Sequence, residues 1–328
     1  MLKILFVADL HGSETCYRKF LNALKMYNVD AGIVMGDLIG KMLNPIILQP
    51  DGSYITYILG SKRLARGEEE LAKLQKDIAS MGNYSFITNP EEMEELKKEG
   101  KTIEGRIDER ATKLSLSTGK VEDVFRTKVN ERMRDWMALA DERLAGTGID
   151  VFMCPGNDDI MEIDDIIRGS ESIVFADDNK VMVKDYEMIS SSWSNPTPWD
   201  TERECSEEDL EAKLEVLAAQ VDRPETSFFN FHVPPYDTLI DQAPKLSKDL
   251  IPSTDETIPA GSKAVSAVIM KHQPLLGLHG HIHESRGVVK LGRTQCFNPG
   301  SEYSEGILRG VILMLKKEKL KDFMFISG

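Results

Sequence analysis

The chain has 328 residues, 41% of them apolar, and a formal net charge of −14, enough to bury one large domain or one domain carrying an insertion. No stretch approaches the roughly 20 apolar residues that span a bilayer, and so acidic a surface repels phosphate backbones, which disfavours a grip on extended nucleic acid. The four cysteines (Cys16, Cys154, Cys205, Cys296) are scattered without a CxxC pair and read as reduced thiols of a cytoplasmic protein.

The opening MLKILFVADLHG has a lysine and a short apolar run but no small-residue cleavage site, and it fits a buried strand better than a signal peptide. LKILFVAD, DAGIVMGD and GIDVFMCPGND are nearly continuous in apolar character, the pattern of strands buried on both faces of a sheet. Between the first two, Tyr17 to Tyr27 repeats apolar residues at helical spacing, which predicts a βαβ unit. The stretch from Asp37 to Asn157 is far longer than a crossover helix needs. Residues 41–120 therefore read as an insertion within a domain spanning 1–328, serving as a lid, an oligomer contact or both. It begins with a hairpin, IILQ and YITYIL around Pro50-Asp51-Gly52-Ser53. Charged helical stretches follow, one capped by Asn89 with Pro90 at the first helical position. Residues 121–148 read as the crossover helix itself. Val121, Val124, Phe125, Val129, Met133, Trp136, Met137, Ala140 and Leu144 form one stripe there, a core or interface face.

Further on, SIVFADDN and KVMVKDYEMISSSW predict strands of a meander, and Ser206 to Asp209 a capping box opening a helix through Val221. SFFNFHVPP predicts a strand, Asp237 to about Gly261 a polar loop, and a helix follows near 261–272. PLLGLHGHIH, VVKLGRTQCFNPGS and RGVILMLKKEKLKDFMFI are strand-like.

Metal-capable side chains gather where the apolar runs end. Asp9 and His11 follow LKILFVA, Asp37 follows GIVMG, and Asn157 and Asp158 follow VFMCPG; His232 follows SFFNF, and His281 and His283 follow LLGLHG. In α/β sheets the carboxyl edge of the strands is where loops converge to build sites. Singly, each cluster is more often a turn or a structural histidine; five in one chain, each at a strand end, point to a shared site. Imidazole and carboxylate together suit Mn, Fe or Zn rather than Mg or Ca. Side chains alternating on extended backbone would let Asp9 and His11 share one ion and bring His281 and His283 to a common centre. A carboxylate such as Asp37 can bridge two cations.

In these motifs the chain resembles the calcineurin-like metallophosphoesterases, whose pattern runs Asp-x-His, Gly-Asp, Gly-Asn-His-Asp/Glu, His, Gly-His-x-His. Here it stands as Asp9-Leu10-His11, Gly36-Asp37, Gly156-Asn157-Asp158-Asp159, His232 and Gly280-His281-Ile282-His283, covering everything outside 41–120. The resemblance implies an α/β fold, a four-layer αββα sandwich. It assigns Asp9, His11, Asp37 and His283 to one metal, and Asp37, Asn157, His232 and His281 to the other, with Asp37 bridging. Two divalent transition-metal ions are expected, manganese first, with iron, zinc or nickel as alternatives.

The chain departs from the family where the histidine of Gly-Asn-His-Asp is Asp158. An aspartate beside two cations is held ionised and is a poor general acid, so His279 is the other candidate proton donor. A site without a strong acid suits good leaving groups. The expected function is thus metal-dependent hydrolysis of a small phosphate ester, first a phosphodiester or cyclic phosphate. A phosphomonoesterase or nucleotide phosphatase is the alternative, and a non-catalytic metal-binding scaffold the reading from another class. Arg63, Arg66 and Arg286 are basic candidates for holding phosphate, and a homo-oligomer is an open expectation.

Overall fold

A computed structural model describes residues 1–98, 119–248 and 250–328. The chain opens with β1 (Leu2–Ala8), α1 (Glu14–Met26) and β2 (Ala31–Met35). Next come β3 (Leu43–Leu48), β4 (Ser53–Ile58), β5 (Ser61–Arg66), α2 (Gly67–Ser80), β6 (Tyr84–Thr88) and α3 (Pro90–Lys98). The long helix α4 (Lys120–Leu144) leads back to β7 (Asp150–Cys154), α5 (Ile163–Arg168) and β8 (Ile173–Phe175). The second half holds β9 (Lys180–Val183), β10 (Tyr186–Ser191), α6 (Glu207–Ala218), β11 (Phe228–Phe231), β12 (Gln242–Leu246) and β13 (Pro252–Pro259). It closes with α7 (Lys263–His272), β14 (Leu276–Leu278), β15 (Gly287–Leu291), β16 (Thr294–Asn298), β17 (Arg309–Leu315) and β18 (Leu320–Ser327).

Two six-stranded sheets carry the fold, in the orders β18-β17-β1-β2-β7-β8 and β15-β16-β14-β11-β10-β9. The inner strands run parallel in each, so their carboxyl ends share an edge. Side chains alternate across β1 as a pleated strand requires. Ile4 and Phe6 face the second sheet, where they meet Phe228, Leu278 and Phe297. Leu5 and Val7 face outward into a layer with Phe20, Val129 and Trp136. On the far side, Leu210 and Leu214 of α6 and Val265 and Val268 of α7 cover Phe229 and Phe231. The layers are therefore α, β, β, α, as expected. The α4 stripe is core: Val129, Met133, Trp136 and Ala140 are completely buried, and the Trp136 ring stacks on Tyr17 at 4.2 Å between centroids.

The inserted segment builds its own four-stranded sheet, in the order β5-β4-β3-β6, over a small core of Ile46, Ile58, Ala65, Leu74 and Ile78. The hairpin lies where the sequence places it: Asp51 accepts from the Ser53 amide at 3.0 Å in the turn, and Gly52 takes φ +80°. Asn89 caps α3, accepting from the Glu92 amide at 2.8 Å. Ser61–Arg66 and Tyr84–Thr88 are strands that the sequence reading does not single out; β5 exposes nearly every side chain, so no apolar alternation marks it. Residues 99–118 lie outside the described residues.

Two other expectations change. Ile173–Phe175 pairs in parallel with β7, on the first sheet, whereas β9 and β10 belong to the second, so these strands cross between sheets and do not form one meander. The polar loop from Asp237 to Gly261 contains the antiparallel ribbon β12–β13. Its strands are half-buried at most, which removes the hydrophobic signal that would announce them. None of the four cysteines is bonded to another. Among the described residues no helix is long and apolar enough to cross a membrane.

Candidate metal centre and cleft

The seven expected ligands follow β1, β2, β7, β11 and β14 directly, and the face-to-face sheets bring those strand ends together. The loops continue the sheet pairing past the strands: the His11 amide donates to Asp37 O at 2.8 Å, and the Gly12 amide to Leu38 O at 2.7 Å. Asp9, His11, Asp37 and His281 all have positive φ, between 41° and 69°. Left-handed backbone at non-glycine residues costs about 1–3 kcal/mol each and persists only where the surroundings enforce it. Four such residues among seven expected ligands mark this edge as built for a purpose other than stability. The extended-backbone argument for Asp9 and His11 thus fails, since both sit in tight turns, but the turns still aim both side chains into one cluster.

The donor atoms form two groups. Asp9, His11, Asp37 and His283 offer ligand atoms within 4.8 Å of one another, and so do Asp37, His232 and His281. Alternation would send His281 and His283 to one centre; the structure sends them to different groups, because His281 is left-handed and turns its ring away from that of His283. Asp37 belongs to both groups. Its Oδ2 lies 3.5 Å from His11 Nε2 and its Oδ1 lies 3.3 Å from His232 Nε2. Asn157 Oδ1 faces His281 Nδ1 at 2.8 Å and His232 Nε2 at 3.0 Å. Its amide nitrogen donates to Thr201 Oγ1 at 2.8 Å, which fixes the oxygen toward the histidines.

Donor chemistry and electrostatics fit cations. His11 Nε2 and His283 Nε2 face each other at 2.9 Å. Burial, reinforced by Lys41, holds His11 well below its ordinary pKa and His283 at about 3. Burial and His232 hold His281 at about 3. These rings are neutral, the form that ligates a metal. Burial pushes Asp9 up to about 7. His232 moves the other way: burial lowers it, but Asp37, together with Asp9 and Asp159, raises it to about 9. The pocket favours positive charge beside Asp37, the charge that a divalent ion would bring.

Three further residues hold the ligand loops. Asp159 accepts from the amides of Leu38, Ile39 and Gly156 at 2.9, 2.8 and 2.7 Å, tying the loop after β2 to the loop after β7. Gly36 lies flat on His232: a Cβ there would sit 1.8 Å from Nδ1. Tyr84, from the insertion, accepts the Gly40 amide at 2.8 Å, and Gly82 O comes so close that a Cβ on Gly40 would be 1.8 Å away. Among the described residues the insertion therefore meets the site mainly from behind.

Above the centre lies a cleft of about 610 Å³. Asp37, Asn157, His281 and His283 form its floor, and Trp199, Tyr236, Leu246 and Ile258 are among the residues of its far wall. Of residues 41–120, Lys41 alone lines it among the described residues. Asp158 is on the cleft, but its carboxylate is bound to Lys41 Nζ at 2.7 Å. Burial moves the Asp158 carboxyl up from its ordinary value, and Lys41 works against that. His279 does not line the cleft. Its ring donates from Nδ1 to Phe231 O at 2.8 Å, and burial lowers it to about 4, so it serves the packing of the second sheet. Arg63, Arg66 and Arg286 do not line the cleft either; the Arg286 guanidinium sits 4.8 Å over the Phe325 ring.

The αββα sandwich, with this motif set at its strand ends, is the arrangement that the resemblance to the calcineurin-like metallophosphoesterases implies. No family model matches the sequence. The chain is similar to uncharacterized protein MJ1162 of Methanocaldococcus jannaschii, at 30% identity over 154 residues. That match takes in 46% of this chain and 64% of the relative, less than two thirds of its length. The crystal structure of TT1561 of Thermus thermophilus superposes with a TM-score of 0.53 at 14% identity, covering 100% of this chain and 98% of that one. A second crystal structure gives 0.54 at 14% identity and covers 97% of each chain. At such identities the likeness is one of fold.

Proposed function

We propose that the chain is a metal-dependent phosphoesterase whose preferred substrate is a phosphodiester or cyclic phosphate. The observation that carries the reading is the placement of Asp37, whose two carboxylate oxygens face histidines of two different ligand groups. Asp9, His11, Asp37 and His283 would hold one divalent ion, and Asp37, Asn157, His232 and His281 the other. Manganese is the first choice for this mixed nitrogen and oxygen set. Bound there, the pair of ions would supply a nucleophilic water at neutral pH and positive charge for the phosphoryl oxygens.

The protein's own part is orientation. Asp159 and Tyr84 hold the loop that carries Asp37, Thr201 holds the Asn157 amide, and the apolar wall lines one side of the cleft. The preference for diesters rests on two features. Asp158, engaged by Lys41, is ill placed to give a proton to a poor leaving group. The wall of Trp199, Tyr236, Leu246 and Ile258 offers surface to an organic group beyond the phosphate.

Manganese-loaded protein should therefore hydrolyse bis(p-nitrophenyl) phosphate with a higher kcat/KM than p-nitrophenyl phosphate. Asp37→Asn should lose both ions and fall to background, whereas His283→Ala should weaken mainly one. Faster turnover of the monoester would replace the diesterase reading by a phosphatase. Stoichiometric metal binding with no turnover of either ester would favour the scaffold.

A further inference from the structure

We propose that Lys41, held over the cleft by Asp158, is the residue that binds the phosphoryl oxygens of an anionic substrate, with Asp158 as its positioning partner. The inference rests on the phosphoesterase reading and assigns the cation in that site which no ligand motif contains.

The backbone leading to Lys41 is fixed from both sides. The amides of Leu38 and Ile39 are bound by Asp159, and that of Gly40 by Tyr84 OH. The Asp158 amide donates to Asp37 Oδ1 at 3.1 Å, and the Asp158 carboxylate takes Lys41 Nζ at 2.7 Å. The Asp158 side chain is 17% exposed and that of Lys41 33% exposed, so the carboxylate is the deeper member, and Lys41 lines the cleft. An ammonium has three donors and no lone pair; Asp158 uses one donor, and Lys41 cannot itself ligate a metal. Placed beside groups suited to divalent ions, it would add positive charge where bound ions would already concentrate it. Asp158 offsets that repulsion, and an arriving anion would relieve it further. A compact charge on a flexible stem suits a phosphoryl group that must be met at different stages of reaction. Lys263 also lines the cleft, but it lies 5.2 Å over the Tyr236 ring, and no carboxylate of the ligand loops holds it as Asp158 holds Lys41.

A purely structural role would make the pair a strut between the loops after β2 and β7. Charge and strut separate by substitution. Lys41→Gln keeps a hydrogen-bond donor for Asp158 and loses the charge, while Lys41→Arg keeps the charge. The measurement is calorimetric titration of inorganic phosphate into manganese-loaded protein, with metal content and Tm recorded for each variant. Lys41→Gln should keep both ions and its Tm while binding phosphate about 10- to 100-fold more weakly, the range of a charge-assisted hydrogen bond. Lys41→Arg should retain most of the affinity. Asp158→Asn, which leaves the ammonium unheld, should fall between wild type and Lys41→Gln. Wild-type phosphate affinity in a fully loaded Lys41→Gln protein overturns the proposal and leaves the metal reading standing. Equal losses in the Gln and Arg variants, with lowered Tm, assign the pair to the strut and also overturn it. A wild-type chain that takes up no metal overturns both readings.

Discussion

On the floor of the cleft, Asp9, His11 and His232 are completely buried, and four of the seven ligand candidates have left-handed backbone. Across the opening, Trp199 and Tyr236 are each 37% exposed and Ile258 43% exposed, on two loops and a two-stranded ribbon outside the main sheets. The floor is over-determined: strand ends, three amides on Asp159 and a glycine pressed on His232 leave each ligand few alternatives. The wall is more exposed and is tied down at its base, where Asp241 accepts from the amides of Asp237, Thr238 and Gly261 at 2.9, 2.8 and 3.0 Å and Glu204 from the Thr197 amide at 2.7 Å. On the proposed function, chemistry would fall to the buried floor and recognition to the more exposed wall, a division that would let substrate change without disturbing metals.

The largest effect should come from the floor. Gly36→Ala places a methyl 1.8 Å from His232 Nδ1 at a φ of +74°, so either the ring or the loop must move. Overpacking of this kind costs about 1–3 kcal/mol, and metal content should drop toward one ion per chain, as read by elemental analysis after gel filtration. Full retention of both ions at wild-type Tm would mean that the floor is as pliable as the wall. Tyr84→Phe is milder. It strips the Gly40 amide of its acceptor, a loss of about 1–3 kcal/mol for a buried unpaired donor, and metal affinity should fall although Tyr84 touches no ligand. Unchanged metal affinity would deny the insertion a supporting role behind the site.

The wall should give the smallest effect on metals and the clearest effect on selectivity. Trp199→Ala should leave two ions bound and raise KM for bis(p-nitrophenyl) phosphate about tenfold, or about 1.4 kcal/mol. KM for a small alkyl phosphodiester should hardly move. Equal changes for both esters would remove the wall from recognition.

The same contrast explains what the sequence could reveal. The parallel strands are buried on both faces, so LKILFVA, GIVM and VFMC announce themselves, and the ligands stand directly after them. Short-range motifs therefore carried the sandwich and the candidate metal residues. Lys41 was not legible, because its value depends on Asp158, which is remote in sequence and adjacent only once β2 and β7 pair. Thr201 and Tyr84 act through one hydrogen bond each, and no pattern marks such residues. His279 misled for a related reason. It precedes the Gly-His-x-His motif by one position, but the strand pleat turns it onto the carbonyls of Phe231 and Val233. The ribbon escapes because its strands are half-buried at most and carry few apolar residues, and β5 because Ser61 to Leu64 are all exposed.

If Asp37 bridges two cations as proposed, anomalous diffraction at the manganese edge from metal-soaked crystals should show two peaks flanking its carboxylate, one beside Asp9, His11 and His283 and the other beside Asn157, His232 and His281. A single peak, or peaks that do not touch Asp37, would contradict it.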